Sequence, residues 1–221
     1  MAGRGRVVRG NAARLSLARA LKFARRQDFG KGDNPYELNR PLSSAPFRGG
    51  LVKSLNSLLE AGPGKVSVLD KGAGTGRMLV DVKKISPARI LATAMSASRT
   101  VGKRNAAHFE RVVTGSGIGK RFGKKFDVIY DCFGEDYHLP KELVGKSLKS
   151  SVANLRKGGV LFTVIPLTHK PTLTSFTVEE GKRFLREFRR KNPGLKVLAK
   201  YENKRFVHFE YVDLLVTVRK P

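Results

Sequence analysis

From residue 51 onward the apolar positions of this chain keep changing period. In "LVKSLNSLLE" (51–60), Leu51, Leu55, Leu58 and Leu59 fall at helical spacing. "KVSVLD" (65–70) is short and apolar, and predicts a strand. A helix start follows in "GRMLVDVKKI" (76–85), then an apolar strand in "ARILATAM" (88–95). "RTVGKRNAAHF" (99–109) reads as a helix, "RVVTG" (111–115) as a short strand and "KFDVIYDCFG" (125–134) as a buried strand. "PKELVGKSLKSSVANLRKGG" (140–159) predicts a long helix, with Pro140 near its first turn and Gly158 at its end. "VLFTVIP" (160–166) is a strand. "TVEEGKRFLREFRRKNPG" (177–194) is a helix with its acids early and its bases late, as the helix dipole prefers. "LKVLAKYEN" (195–203) and "RFVHFEYVDLLVTVRK" (205–220) are strands with no helix between them.

Strands alternating with helices predict an α/β fold with a doubly wound, mostly parallel sheet. The last two strands are linked too briefly for a parallel crossover, so an antiparallel β-hairpin is expected at the C-terminus. The stretch "FGKGDNPYELNRPLSSAPFRGG" (29–50) is rich in Gly, Pro, Ser and Asn, and reads as an extended connector or a lid. The expected organisation is a basic N-terminal extension and connector over 1–44, followed by one domain over 45–221.

Charge changes the picture. Lys and Arg number 44 against 18 Asp and Glu, a formal net charge of +26. With 40% hydrophobic residues the chain can still bury a core, so it is not a disordered basic tail. A charge this large costs stability through self-repulsion, and a polyanionic partner, nucleic acid first, is the simplest reason to carry it. The start is basic throughout: Arg4, Arg6, Arg9, Arg14, Arg19, Lys22, Arg25 and Arg26 precede the first acid, Asp28. Leu17, Leu21 and Ala24 share one face of a helix expected from about Ala12 to Arg26. Three readings fit it: a basic arm that folds on RNA, an organelle transit segment, or a solvated helix packed by its leucine face. Cys132 is the single cysteine, so no disulfide framework, no cysteine-based zinc site and no metal are expected. No apolar run approaches the about 18 residues that span a bilayer, and no membrane partner is expected. The expected compartment is intracellular: cytoplasmic, or mitochondrial if the start is a transit segment.

The candidate chemistry centres on "LDKGAGTG" (69–76). Glycine at 72, 74 and 76 permits positive φ and removes Cβ from the face that meets a ligand. The helix that follows aims free N–H groups at the same place. Asp70, Gly72, Gly74 and Gly76 match the acid-x-Gly-x-Gly-x-Gly first motif of the class I S-adenosylmethionine-dependent methyltransferases, which residues 45–221 resemble. "FDVIYDCFG" (126–134) and "LRKGGVLFTVIP" (155–166) look like that family's fourth and fifth strands, and the terminal hairpin is a further likeness. The resemblance implies a Rossmann-like methyltransferase fold and S-adenosylmethionine as cofactor. It also implies that Gly72, Gly74 and Gly76 line the cofactor and that Asp70 meets its methionine end. The chain departs from the family where the second strand ends. In "ILATAMSAS" no acid replaces the carboxylate that binds ribose, and only Thr93, Ser96 and Ser98 offer hydroxyls. After the third strand, "VVTGSGIG" supplies Thr114 and Ser116.

In the family, the loop after the fourth strand faces the reactive methyl. Here it reads "YDCFGEDYHLP" (130–140) and holds Asp131, Glu135, Asp136, Tyr137 and His138. Asp131 is the expected acceptor-positioning residue and His138 a proton acceptor, while Tyr137 or Phe133 could stack on a base. These residues read equally as caps of the following helix. Cys132 reads as a small core residue. Expected phosphate contacts are Arg14, Arg19, Arg25 and Arg26 in the arm and Arg183, Arg186, Arg189 and Arg190 on the last helix. Two functions therefore stand against each other. One is a methyltransferase acting on rRNA or tRNA. The other is an inactive methyltransferase-like RNA-binding protein of a ribosome or its assembly particle. A small-molecule methyltransferase is a weaker third.

Overall fold

The computed structural model describes residues 40–96, 101, 103–132, 134, 139–168, 174–206 and 209–221. A 3-10 turn at Leu42–Ser44 leads into helix α1 (Arg48–Glu60), strand β1 (Val66–Asp70) and helix α2 (Arg77–Ile85). Strand β2 (Ile90–Ser96), the short helix α3 (Lys103–Ala106) and strand β3 (Arg111–Thr114) follow. Then come β4 (Phe126–Asp131), α4 (Lys141–Asn154), β5 (Leu155–Leu167), α5 (Val178–Lys191), β6 (Lys196–Phe206) and β7 (Phe209–Arg219).

The strands form a seven-stranded sheet in the order β3-β2-β1-β4-β5-β7-β6. β7 runs antiparallel to both its neighbours, and the other pairings are parallel. β6 and β7 are the expected terminal hairpin. Strands buried on both faces read as continuous apolar runs, which is why β1 and β4 are buried at every position.

Two apolar layers flank the sheet. Leu51 and Leu55 of α1 and Leu79 and Val82 of α2 pack on one face against Val68, Val128, Tyr130 and Phe162. Leu143, Val144 and Leu148 of α4 and Leu185 and Phe188 of α5 pack on the other against Leu69, Ile129, Leu161 and Ile165. At the start of β4, Asp127 accepts the Ser67 N–H at 2.7 Å, so a carboxylate caps the ladder where the β1–β4 backbone pairing begins.

α5 begins with a reciprocal capping box. The Glu180 N–H donates to Thr177 Oγ1 at 3.2 Å, and the Thr177 N–H donates to Glu180 Oε2 at 2.8 Å. α4 is shorter than its sequence pattern predicts. Leu155 turns extended and pairs with Phe126, which pulls the "LRKGG" segment into β5. Gly158, at φ 76°, donates its N–H to the Lys220 carbonyl at 2.8 Å, and Lys220 returns one to Gly159 at 3.0 Å. Tertiary pairing with β4 and β7 outweighs local helix propensity there. Among the described residues, no helix is long and apolar enough to cross a membrane.

Candidate functional site

The strand order reverses direction between β1 and β4, since β1 is followed outward by β2 and β3, and β4 by β5. In open α/β sheets the crevice outside the carboxyl ends of the strands at such a switch point is where ligands bind. The "LDKGAGTG" turn lies at that crevice, with Gly72 against Gly134 just past β4. Asp70 closes β1 directly opposite Tyr130.

Asp70 is buried and accepts the Gly72 N–H on Oδ1 at 3.0 Å. Burial pushes its carboxyl up from 3.8 to about 7, against the opposing pull of that N–H. Among the described residues Asp70 has no ion pair. Its charge is therefore costly until a cation arrives.

The three glycines do different work. Gly72 lies flat against Gly134, just past β4: a Cβ on Gly72 would overlap the Gly134 Cα. Gly76 has φ 87°, and a Cβ there would meet the Phe109 ring at 2.8 Å. Both serve close packing inside the protein. Gly74, at φ 50°, adopts the left-handed backbone at the middle of the turn. The turn is pinned by the Gly76 N–H to the Ala73 carbonyl (2.6 Å), the Ala73 N–H to the Met95 carbonyl (3.1 Å) and Asn105 Nδ2 to the Thr75 carbonyl (2.8 Å).

Asp131 lies in a buried ion pair with Lys71 rather than at an open surface. Neighbouring residues of a strand face opposite sides, so Tyr130 and Cys132 join the layer of α1 and α2. Asp131 is instead fully buried, with Oδ2 2.9 Å from Lys71 Nζ. The same ammonium donates to Ser147 Oγ at 2.9 Å and Ser151 Oγ at 3.0 Å on α4. A lysine ammonium has three N–H bonds, and here each has an acceptor. The carboxylate expected to face the acceptor is committed to a buried ion pair tying the glycine turn, the end of β4 and α4 together. Lys71, Ser147 and Ser151 were not singled out by sequence. Their signal was a lysine between an apolar strand and a glycine turn, with two serines four residues apart on the apolar face of a helix.

At the ends of β2 and β3, Ser96 pairs with Thr114, so hydroxyls stand where the family places a carboxylate. Ser96 is buried, and Thr93 is fully buried, its hydroxyl without a hydrogen-bond partner among the described residues. The donor set thus fits a cofactor at its ammonium end and offers only hydroxyls towards a ribose. Tyr130 Oη donates to the Pro46 carbonyl at 2.9 Å, and Phe47 rests on Phe162 with ring centroids 5.4 Å apart. These contacts strap the segment before α1 over β4 and β5. Cys132 is buried, and burial holds its thiol well above 9.0, as suits a core residue rather than a nucleophile.

Arg183, Arg186, Arg189 and Arg190 are all exposed on α5, with Arg189 donating to the Val197 carbonyl at 3.2 Å. His138, with Phe133, Glu135, Asp136 and Tyr137, lies outside the described residues, as do Ser98, Arg14, Arg19, Arg25 and Arg26.

No family model matches this chain, and no curated protein sequence matches it. Solved structures do. One is 1,6-didemethyltoxoflavin-N1-methyltransferase from Burkholderia thailandensis, with bound 1,6-didemethyltoxoflavin and S-adenosylhomocysteine. It is 19% identical with a TM-score of 0.56, and the match covers 100% of this chain and 93% of that one. The N-methyltransferase NodS from Bradyrhizobium japonicum WM9, in complex with S-adenosyl-L-homocysteine, is 16% identical with a TM-score of 0.53, covering 94% and 97%. CalS10 from Micromonospora echinaspora, an amino pentose methyltransferase with bound S-adenosylmethionine, is 14% identical with a TM-score of 0.54, covering 81% and 94%. At these identities the likeness is one of fold: the Rossmann-like fold of the class I S-adenosylmethionine-dependent methyltransferases.

Proposed function

From this fold and the glycine turn at its switch point, we propose that the protein is an S-adenosylmethionine-dependent methyltransferase whose acceptor is carried on RNA. The observation that carries the reading is Asp70: a buried carboxylate at the carboxyl end of β1, held by the Gly72 N–H and lacking an ion pair among the described residues. It suits the ammonium of the cofactor's methionine end. Bound there, S-adenosylmethionine supplies an electrophilic methyl on a sulfonium. Gly74 gives the turn its left-handed backbone, while Gly72 and Gly76 pack the turn against Gly134 and Phe109. The buried Lys71–Asp131 pair is a positioning device that fixes the glycine turn and the end of β4 relative to each other. The RNA part rests on the net charge of +26 and on the exposed α5 arginines. The molecules named for the solved structures, 1,6-didemethyltoxoflavin and an amino pentose, are small and lend that part no support.

One observation favours a second reading, a non-catalytic RNA-binding relative: β2 ends in Ser96 with no carboxylate for a ribose. One experiment separates the two. Purified protein is titrated with S-adenosylmethionine by calorimetry, with Gly74→Arg as the blocked control, and tritiated methyl transfer to total RNA is then measured. Micromolar binding lost in the variant, with label entering RNA, supports the enzyme. A folded wild type that takes up no cofactor yet binds RNA tightly leaves the second reading standing.

A further inference from the structure

We infer that the end of the sheet remote from the cofactor turn is a docking surface for the phosphate backbone of RNA. The inference rests on the RNA reading above and adds where the RNA sits. The strand order β4-β5-β7-β6 brings four strand ends side by side. Lys124 and Lys125 precede β4, Arg156 and Lys157 open β5, Arg219 and Lys220 close β7, and Lys196 opens β6. Four neighbouring strands span about 14 Å. Arg190 and Lys191 at the end of α5 stand just ahead of β6.

Among the described residues, the acid on these strand ends is Asp127, already engaged by Arg156 at 3.2 Å and by the Ser67 N–H. Lys157, Lys196 and Arg219 are exposed and carry no ion pair among the described residues. Lys196 and Arg219 are also direct cross-strand partners. Like charges placed opposite each other cost stability, and a bound polyanion relieves that cost. Two neighbouring lysines are braced on backbone: Lys220 Nζ donates to the Leu155 carbonyl at 3.0 Å, and Lys125 Nζ to that of Ala153.

The other end of the molecule sets acids among its bases, with Lys71, Lys141 and Lys182 paired to Asp131, Glu180 and Glu179. Asp70, Asp131, Glu142, Glu179 and Glu180 all lie at or beyond the carboxyl ends of the parallel strands or in the first turns of α4 and α5. A lipid surface is a poorer occupant of the basic end. The exposed large apolar side chains described are Val112 on one sheet edge and Leu198 and Tyr201 on opposite faces of the other, so no apolar patch adjoins the cations to insert into a bilayer. The six residues of β4 separate this surface from the crevice by about 20 Å. The docked element and the acceptor nucleotide are therefore different parts of one folded RNA.

The test uses the full chain, a fluorescein-labelled RNA hairpin of about 30 nucleotides, and a salt series read by anisotropy. The variant is Lys157→Ala/Lys196→Ala/Arg219→Ala, with Arg48→Ala/Lys53→Ala/Lys146→Ala, exposed cations in the first halves of α1 and α4, as a charge-matched control on the cofactor half. The pole variant should bind at least tenfold more weakly at about 0.1 M salt, with the slope of log K against log salt reduced by about 2 to 3, since each of three lost phosphate contacts contributes about 0.7 to 0.9. Its S-adenosylmethionine affinity and melting temperature should not fall. Unchanged affinity and slope in the pole variant, or an equal loss in the control, overturns the docking surface while leaving the RNA reading intact. So does equal competition by duplex DNA or phosphatidylserine vesicles, for the choice of RNA. A wild type that does not bind the hairpin at any salt removes the RNA reading itself, and this surface with it.

Discussion

Asp70 ties the candidate site to pH. Its folded pKa of about 7 lies above the ordinary 3.8 because burial disfavours the anion. In the ligand-free protein the stability it lends is fully present below about 3.8 and is lost as the pH rises through about 7. On the proposed reading a bound ammonium inverts the preference, and cofactor binding should expel a proton below pH 7. S-adenosylmethionine affinity should therefore climb towards tenfold per unit between about pH 5.5 and 7, and Asp70→Asn should flatten the profile. Calorimetry in buffers of different ionisation enthalpy reads both. A pH-independent affinity would separate Asp70 from the ammonium. The Lys71–Asp131 pair makes a different prediction. Asp131→Asn strands a buried ammonium and should cost about 3–5 kcal/mol in denaturant unfolding, while Lys71→Met/Asp131→Asn should recover much of it. If Asp131→Asn instead keeps full stability and loses only turnover, the carboxylate meets the acceptor after all. Glycine chemistry was legible in the sequence as a tight turn, but not which glycines face a ligand. Gly134, far along the chain, decides the role of Gly72.

At the scale of elements, local pattern and tertiary pairing contend at only a few places. α5 is locally determined. Thr177 and Glu180 form its capping box, acids open it, and Arg189, Arg190 and Lys191 close it. Thr177→Ala should lower stability by about 1 kcal/mol, read in the same unfolding experiment, with cofactor affinity unchanged. An unaltered midpoint would mean that packing of Leu185 and Phe188 alone sets the start of the helix. α4 shows the reverse. Its sequence supports helix to residue 159, yet Leu155 leaves it because Phe126 offers a strand partner. The same helix also carries Ser147 and Ser151, buried acceptors for Lys71.

Over the whole molecule, charge is sorted by the fold. Bases and acids are interspersed along the described sequence, but strand order gathers Lys124, Lys125, Arg156, Lys157, Lys196, Arg219 and Lys220 at one end of the sheet and sets Asp70 and Asp131 at the other. Self-repulsion in a chain of net charge +26 should be eased by screening. The melting temperature should rise by several degrees between about 0.02 and 0.5 M sodium chloride, and rise further with a polyanion that binds only the folded state. A melting temperature indifferent to salt would mean that the charges are already compensated within the folded chain.

The sequence by itself determined the alternating elements, the glycine turn after the first strand, the terminal hairpin and the excess of positive charge. Each of these depends on periodicity or on residues close along the chain. Only the tertiary structure decided that Asp131 serves Lys71, that Gly72 faces Gly134, and that the basic strand ends share one edge. Those facts depend on which strands become neighbours. In this sheet the neighbours at the switch point, β1 and β4, are separated by two intervening strands, and no local pattern records that pairing.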